Sequence, residues 1–392
     1  EHQCFLHALH PRFELILHEF SQKVNKILSK ESKYTSENNI TIDFLPSGFY
    51  NKKEVFRTYG EMNMANPLRI GIIGTSFVSD WICEAVSMSE NCEISAVFSR
   101  DLCRGKAYAE KQSIQACFDD EEAFLSSDAI DAVYVASPNI AHYRQTLRAL
   151  EHGKHVLCEK PLAINAAQAE RMIALAHEKG LILLEAIRPV HDPFLAALKE
   201  NLHKVGRIRR ATFEFCQYSS RYDRFLAGER PNVFDSSLGN AALMDLAVYC
   251  LHTCVAVFGV PQKLSAGASF LPNGTEASGT MLLDYGAQQT TISYSKVTSS
   301  VNPSIVQGEL GTLVFDTLNQ PSYLRMLYRD GRTEELFTPV KNNMVHELNA
   351  FARMIASGED TAVYDEQSLR VMRLLDEARR QIGIDFGAGE AL

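Results

Sequence analysis

Gly71-Ile72-Ile73-Gly74-Thr75-Ser76-Phe77-Val78-Ser79 is the stretch that decides the fold. An apolar run ends in a glycine, and small polar residues then lead into a helical pattern. A dinucleotide fingerprint wants three glycines: one for the turn, one for close approach of a pyrophosphate, one for helix packing. Only the first, Gly74, is present, and Ser76 and Ser79 stand in the other two places. Both are small, so the backbone amides of Gly74, Thr75, Ser76 and Phe77 at the helix start can still meet a phosphate.

Outward from this turn, apolar strands alternate with amphipathic helices. Strands are expected at 68–74, 93–99, 132–137, 155–160 and 181–186, and helices at 77–88, 141–151 and 166–179. Trp81, Ile82, Ala85 and Val86 are the inward residues expected of the first helix. Asn165 with Gln168 suits a capping box, and Gly153 and Gly180 suit helix ends. Strands regularly separated by helices imply a parallel sheet. Residues 64–188 therefore read as an α/β, doubly wound Rossmann domain.

The tip of the second strand bears on the coenzyme. NAD sites place an acid there for the ribose diol, whereas NADP sites place a cation for the extra phosphate. This chain has Ser99-Arg100, with Arg104 one turn on, and its acid, Asp101, comes one residue too late. NADP(H) is the expected coenzyme, with NAD(H) as the alternative.

From Pro189 the pattern changes. Helices at 193–203 and 240–258 alternate with longer strand-like runs at 210–218, 280–285, 289–296 and 312–316. Pro272-Asn273-Gly274 and Asp330-Gly331 mark turns. Helical stretches at 344–355 and 366–381 close the chain. Residues 189–392 read as an α+β domain on an open antiparallel sheet, whose free face suits pairing into a homodimer or homotetramer or else belongs to the core. Residues 1–63 lack this alternation. Helical spacing runs from Phe13 to Leu28, a polar stretch follows, and an initiator-like Met64 precedes the first clear strand. They read as a loosely structured, dispensable appendage, or alternatively as a docking segment.

Composition narrows the function. The 392 residues carry 39 Lys and Arg against 48 Asp and Glu, a net charge of −9 with no basic block, so nucleic acid is not an expected partner. No run of roughly 18 apolar residues stands out, which predicts no membrane span. Charges at Glu1, Arg12, Glu14 and Glu19 do not suit a signal peptide. Nine cysteines without a C-x-x-C pair suit structural thiols in a reducing cytoplasm; no metal site is expected.

The chemistry is concentrated at Glu159-Lys160-Pro161, at the end of the apolar run 155–158. A lysine at the tip of a buried strand, downstream of a dinucleotide turn, can set a cation beside a nicotinamide ring and a substrate hydroxyl. Together with residues 70–79, Ser137-Pro138-Asn139 and His142, Gly153-Lys154-His155-Val156, and Glu185-Ala186, this corner resembles the Gfo/Idh/MocA oxidoreductase family. The family's helix motif D-x-x-x-Y is matched by Asp245 and Tyr249 in Gly239-Asn240-Ala241-Ala242-Leu243-Met244-Asp245-Leu246-Ala247-Val248-Tyr249. The resemblance covers about 68 to the C-terminus. It implies NAD(P)-linked oxidation of a carbinol, usually in a sugar, polyol or diol. It implies Lys160 as the catalytic lysine, Tyr249 as the proton carrier, and Glu159, Asn139 and His142 near the coenzyme. Tyr249 stands where inositol dehydrogenases carry histidine, which argues against that branch and for the family's tyrosine branch.

The residues fit these roles physically. A free tyrosine is a poor proton carrier near neutral pH, and a neighbouring ammonium favours its phenolate. Asp245 and Tyr249, four apart, share a helical face and could jointly orient substrate or Lys160. Candidate substrate contacts are Arg188, Tyr218, Arg221, Tyr222 and His252, against the alternatives of a solvated turn for the stretch 218–222 and, favoured for His252, a buried structural histidine. The same features would also serve a coenzyme-retaining hydrolase or isomerase, or a non-catalytic NADP-binding regulator.

Overall fold

The described residues form two sheets, one of six strands and one of eight. The computed structural model describes residues 66–387, so the reading of 1–63 lies outside the described residues. Residues from 61 onward form one unit. The first lobe runs β1 Leu68–Ile73, α1 Phe77–Val86, β2 Cys92–Phe98, α2 Leu102–Gln112, β3 Ala116–Phe118, α3 Glu121–Leu125 and β4 Ala132–Val135. It continues with α4 Asn139–Glu151, β5 His155–Glu159, α5 Ala166–Lys179 and β6 Leu183–Ala186. All five strand pairings are parallel, in the order β3-β2-β1-β4-β5-β6. The order reverses between β1 and β4, and open α/β sheets bind ligands beyond the carboxyl ends of strands at such a point.

The strands are near-continuous apolar runs because helices cover both faces. One face presents Ile70, Ile72, Val97, Tyr134 and Leu157. Each fully buried side chain of this size contributes roughly 1.5–3 kcal/mol. Asn165 caps α5 by accepting the Gln168 N–H at 2.9 Å, and Gly180 ends it at φ 64°. The return half of the expected capping box is not made, since Gln168 Oε1 has no partner.

Three expectations for this lobe need correction. β3 was not foreseen, because three residues are too few to show a period. Two short helices, α2 and α3, flank it. Trp81, expected inward, is 41% exposed. Helical spacing put it on the face of Ile82 and Ala85, but it turns toward the crevice, where the Arg188 guanidinium lies 5.2 Å from its ring centroid.

The second lobe follows α6 Arg188–His191 and α7 Pro193–Asn201. Its order is β7 Ile208–Cys216, α8 Tyr222–Leu226, a π-helical turn Leu243–Ala247 running into α9 Val248–Phe258, then β8 Lys263–Phe270, β9 Glu276–Asp284 and β10 Gln289–Ser295. After these come β11 Ser304–Gly308, β12 Gly311–Phe315, β13 Leu324–Tyr328, β14 Thr333–Glu335, α10 Met344–Ser357 and α11 Ala362–Ile382. The eight strands form one sheet, β14-β13-β12-β11-β7-β10-β9-β8. It is antiparallel as expected except for β7 and β10, which run parallel. A parallel pair needs a long crossover, and the chain between them supplies one containing α9.

Alternation along β12 places Gly311, Leu313 and Phe315 on the buried face. There Phe315 meets Phe194 with ring centroids 5.0 Å apart, and Phe213 at 5.7 Å. The stretch Ser236–Phe258 has the length and apolar character of a membrane span, which the sequence reading overlooked, but 78% of its apolar window is buried inside the protein. Its composition is that of a core helix. The last two helices return to the first lobe. Met344, Leu348, Phe351 and Met354 of α10 share the core of β1, β2 and β4, and α11 packs on α5 and β6.

Candidate active site

Gly74 ends β1 at φ 111°, and a Cβ there would lie 2.6 Å from the Ala136 carbonyl oxygen. Only glycine permits this close passage of the β1 and β4 turns. Ser76, the N-cap of α1, has φ −89° and makes no side-chain cap, so the first amides of α1 remain open to an anion. Ser79 is buried and its Oγ donates to the Gly74 carbonyl at 3.0 Å, so the serine in the third glycine position braces the turn.

At the tip of β2, the Ser99 hydroxyl accepts the Asp101 N–H at 3.3 Å. Asp101 caps α2 by accepting the Arg104 N–H at 3.1 Å, which commits this acid to the helix end. Arg104 reaches back to donate to the Thr75 carbonyl at 3.5 Å. Arg100 is exposed, and no described residue pairs with it. An open helix end with a free guanidinium beside it suits a dinucleotide carrying a 2′-phosphate.

Ser137, after β4, donates to Gln145 Oε1 at 2.6 Å. His142 is buried, with ring nitrogens 2.9 Å from the Pro161 carbonyl and 3.0 Å from the Ser137 carbonyl; burial lowers its pKa. Asn139 Nδ2 donates to the Gly239 carbonyl at 3.0 Å. His142 thereby ties the β4 and β5 ends together, and Asn139 ties the start of α4 to the loop before the π turn.

Lys160 follows β5, and its bond to Pro161 is cis. Its Nζ donates to Asp245 Oδ1 at 2.6 Å and to the Asp245 carbonyl at 2.9 Å. That carbonyl belongs to the π turn, whose wider ring shifts the helical hydrogen bonding. Asp245 Oδ2 is 2.9 Å from Lys296 Nζ, at the end of β10. Lys160 Nζ also lies 4.8 Å from the centroid of the Tyr249 ring. Tyr249 is 4% exposed and meets Phe215 edge-on at 5.4 Å.

The charges are mutually set. Burial pulls the Lys160 ammonium down, but Asp245, Tyr249 and Glu159 outweigh it and hold its pKa above the ordinary lysine value. Burial pushes Asp245 up, yet the two lysines bring it far below the usual carboxylate range. Glu159, whose carboxylate accepts from the Tyr134 hydroxyl, is raised by burial. Behind it Glu347 is buried and pushed well up by burial and by Glu159. Burial lowers Arg188, but Tyr249, Glu347 and Glu159 outweigh it and raise the guanidinium.

Glu276 of β9 steadies the start of this helix by accepting the Leu243 N–H at 2.9 Å. Burial pushes its pKa up to about 7. A carboxyl raised on folding stabilises fully below its unfolded value, and the contribution is lost as pH rises through about 7. Unfolding in urea should therefore show a fall on the order of 3 kcal/mol between pH 4.5 and 8 that Glu276→Gln removes. An unchanged slope in the variant would refute this.

The expected substrate contacts divide. Arg221 lies 4.7 Å over the Phe77 ring, and Phe77 meets Trp81 at 5.1 Å, so Arg221 and Arg188 both border the crevice at α1. The Tyr218 hydroxyl donates to Asp223 at 2.6 Å, and Tyr222 packs among Tyr218, Phe225 and Phe234. His252 does not face substrate. It is 0% exposed, 3.3 Å from Glu185, which also accepts the Leu162 N–H and the Ser368 hydroxyl. Sequence reasoning placed His252 three residues beyond Tyr249 on one face, but the adjoining π turn and the packing of α11 put it in the core. It missed Lys296, Glu347 and Trp81. None of the three carried a local signal, and Lys296 follows a largely polar strand, Gln-Thr-Thr-Ile-Ser-Tyr-Ser.

The crevice thus joins an anion-binding turn to a carboxylate shared by two lysines beside a buried tyrosine. Residues 68–186 match the oxidoreductase family with an NAD-binding Rossmann fold, and residues 199–314 match the GFO/IDH/MocA C-terminal domain. The chain is 39% identical over 327 residues to scyllo-inositol 2-dehydrogenase (NADP(+)) of Bacillus subtilis, covering 83% of this chain and 100% of that one. It is 28% identical to trans-1,2-dihydrobenzene-1,2-diol dehydrogenase of Mus musculus, covering 81% and 98%. A 3-ketoreductase from Actinomadura kijaniata, solved with NADP and TDP-benzene, is 27% identical with a TM-score of 0.72, covering 81% and 98%.

Proposed function

This chain belongs to the Gfo/Idh/MocA family of oxidoreductases, and we propose that it oxidises a carbinol of a polyol, diol or sugar-like substrate, or reduces the matching carbonyl, with Tyr249 carrying the hydroxyl proton. The observation that carries this reading is the Lys160 ammonium 4.8 Å from the buried Tyr249 ring, fixed by Asp245. NADP, which the relatives from Bacillus subtilis and Actinomadura kijaniata use or bind, accepts or supplies the hydride when bound.

The chain's residues then account for the proton. In the oxidation direction, the Tyr249 oxygen takes the proton of the substrate hydroxyl. Lys160 favours the phenolate and donates toward the same substrate oxygen. Asp245 fixes Lys160, while Arg188 adds a second positive field near Tyr249. Arg221, Phe77 and Trp81 form one wall of the crevice. The eight described cysteines are free, which suits a reducing cytoplasm. Leu282 and Leu327 lie exposed on the second sheet, in keeping with pairing of copies over that face.

A coenzyme-coupled screen over inositols, other polyols, trans-diols and aldoses tests the reading directly. NADP+ reduction with at least one of them is expected, and a folded, NADP-binding protein inert toward all would overturn it. For coenzyme choice, Arg100 is assigned to the 2′-phosphate through charge-assisted hydrogen bonds. Arg100→Asp should weaken NADPH binding roughly 10- to 100-fold and leave NADH binding nearly unchanged. Equal effects on both coenzymes would remove Arg100 from the site.

A further inference from the structure

We infer that Arg188 anchors a carboxylate of the substrate, so that the crevice prefers hydroxylated acids, such as sugar acids, over the matching neutral polyols and aldoses. The inference deepens the proposed activity and rests on the reading of this crevice as the substrate site. Arg188 opens α6 and is 8% exposed, yet among the described residues none accepts a hydrogen bond from its guanidinium or forms an ion pair with it. Its nitrogens are not sealed from water either. The N–H groups that the protein leaves unused therefore open into the crevice. Burying a cation without a partner is costly, and an anion carried by a ligand offsets that cost.

Its neighbours fix where such an anion would lie. The guanidinium sits 5.2 Å from the Trp81 ring centroid, and Trp81 is 41% exposed, so ring and cation form one shelf. Asn342 steadies this turn of α1 by donating to the Trp81 carbonyl at 3.1 Å. On the other side α6 packs on α9, which carries Tyr249. Burial lowers the guanidinium, and Tyr249 leads the groups that raise it again, ahead of Glu347 and Glu159. An anion on Arg188 is thus held between the Trp81 shelf and the proposed proton carrier. The acids behind Arg188 do not take its place. Glu347 is fully buried, its oxygens meet no donor, and burial pushes its pKa well up, so it keeps its proton. Glu159 is engaged by the Tyr134 hydroxyl.

The charge count selects the kind of anion. A guanidinium grips a carboxylate or a phosphate through two parallel N–H bonds. A phosphate monoester carries nearly two charges, whereas a carboxylate carries the one that a single guanidinium matches. The other arginine on this wall, Arg221, lies 4.7 Å over Phe77, the first residue of α1, where the coenzyme's own diphosphate is expected. Arg188 alone is left for the substrate.

Trp81 is the chain's one tryptophan, so its fluorescence reports on this shelf whether or not hydride transfer follows. The full chain, saturated with NADP+ at constant ionic strength, is titrated with glucuronate against glucose, galacturonate against galactose and gluconate against glucitol. In at least one pair the acid should bind roughly 10- to 100-fold more tightly, the scale of hydrogen bonds to a charged group, and Arg188→Gln should bring that ratio close to unity. Neutral members that bind as well in every pair, acids that do not bind, or a preference that survives Arg188→Gln would overturn the inference. So would tighter binding of glucose 6-phosphate than of glucuronate, which would make this a phosphate site. If the Gln variant does not fold, Arg188→Lys keeps the charge and removes the fork; the acid preference should still drop, and an unmoved preference would overturn the inference. The proposed activity fails separately: acids that bind at Trp81 while neither they nor the neutral series yield NADPH would end it and leave the anion site standing.

Discussion

Tyr249→Phe is expected to lower turnover by roughly 10²-fold or more, the scale of a single general acid or base, while leaving melting temperature and NADPH affinity nearly intact. The substitution keeps the ring that packs on Phe215 and removes only the hydroxyl. Lys160→Met should cut turnover as well. The double variant should lose less than the product of the two single losses, because residues acting as a unit are not additive. Were both side chains mere packing groups, the variants would melt earlier and turn over normally per folded molecule. Melting, coenzyme affinity and turnover measured on the same samples separate the cases. A folded, coenzyme-binding Tyr249→Phe protein with full activity would end the assignment. His252, seven residues after Asp245, would not replace it, because it is fully buried against Glu185.

The second large effect is on stability. Asp245→Ala would leave Lys160 and Lys296 buried side by side with no shared carboxylate. Removing one partner of a buried ion pair costs about 3–5 kcal/mol, and the partial exposure of Asp245 places this case near the lower figure. Urea unfolding should show that loss, and Lys296→Met added to Asp245→Ala should recover part of it by removing one of the two repelling ammoniums. If Asp245→Ala unfolds within ~0.5 kcal/mol of the parent, as ordinary surface changes do, the shared-carboxylate arrangement is not what holds this helix to the sheet.

Much of this architecture was legible in the sequence for identifiable reasons. β1, β4 and β5 are long apolar runs ended by glycine, a loop or proline, and α5 carries its own start and stop in Asn165 and Gly180. β8, with the sequence Lys-Leu-Ser-Ala-Gly-Ala-Ser-Phe, was not legible, because small and polar residues carry no period and its pairing with β9 makes it a strand. The parallel alignment of β7 and β10 depends on a crossover, which local spacing does not record.

For the proposed site, local motifs pointed to residues that lie within one turn or at one strand tip: Gly74, Arg100, Lys160, Asp245 and Tyr249. Lys296 escaped because its partner lies 51 residues away, and only the register of β10 beside β9 and β7 brings them together. Trp81 was misplaced, and His252 was left between substrate contact and core, for one reason. Helical spacing says which residues share a face, but not whether that face meets a core or a crevice.

The return of α10 to the first lobe has a consequence for how the protein is made. The sheet that binds coenzyme is complete in sequence once β6 has been synthesised, yet one of its walls is Leu348, Phe351 and Met354. Until the ribosome has passed them, Ile70, Ile72 and Tyr134 lack part of their cover, so the earliest strands must wait, half dressed, for nearly the last helix. The same dependence ties the lobes in evolution. A coenzyme lobe transplanted alone onto a new substrate lobe would arrive without that wall, so recombination in such a chain has to carry α10 along with the sheet that it seals.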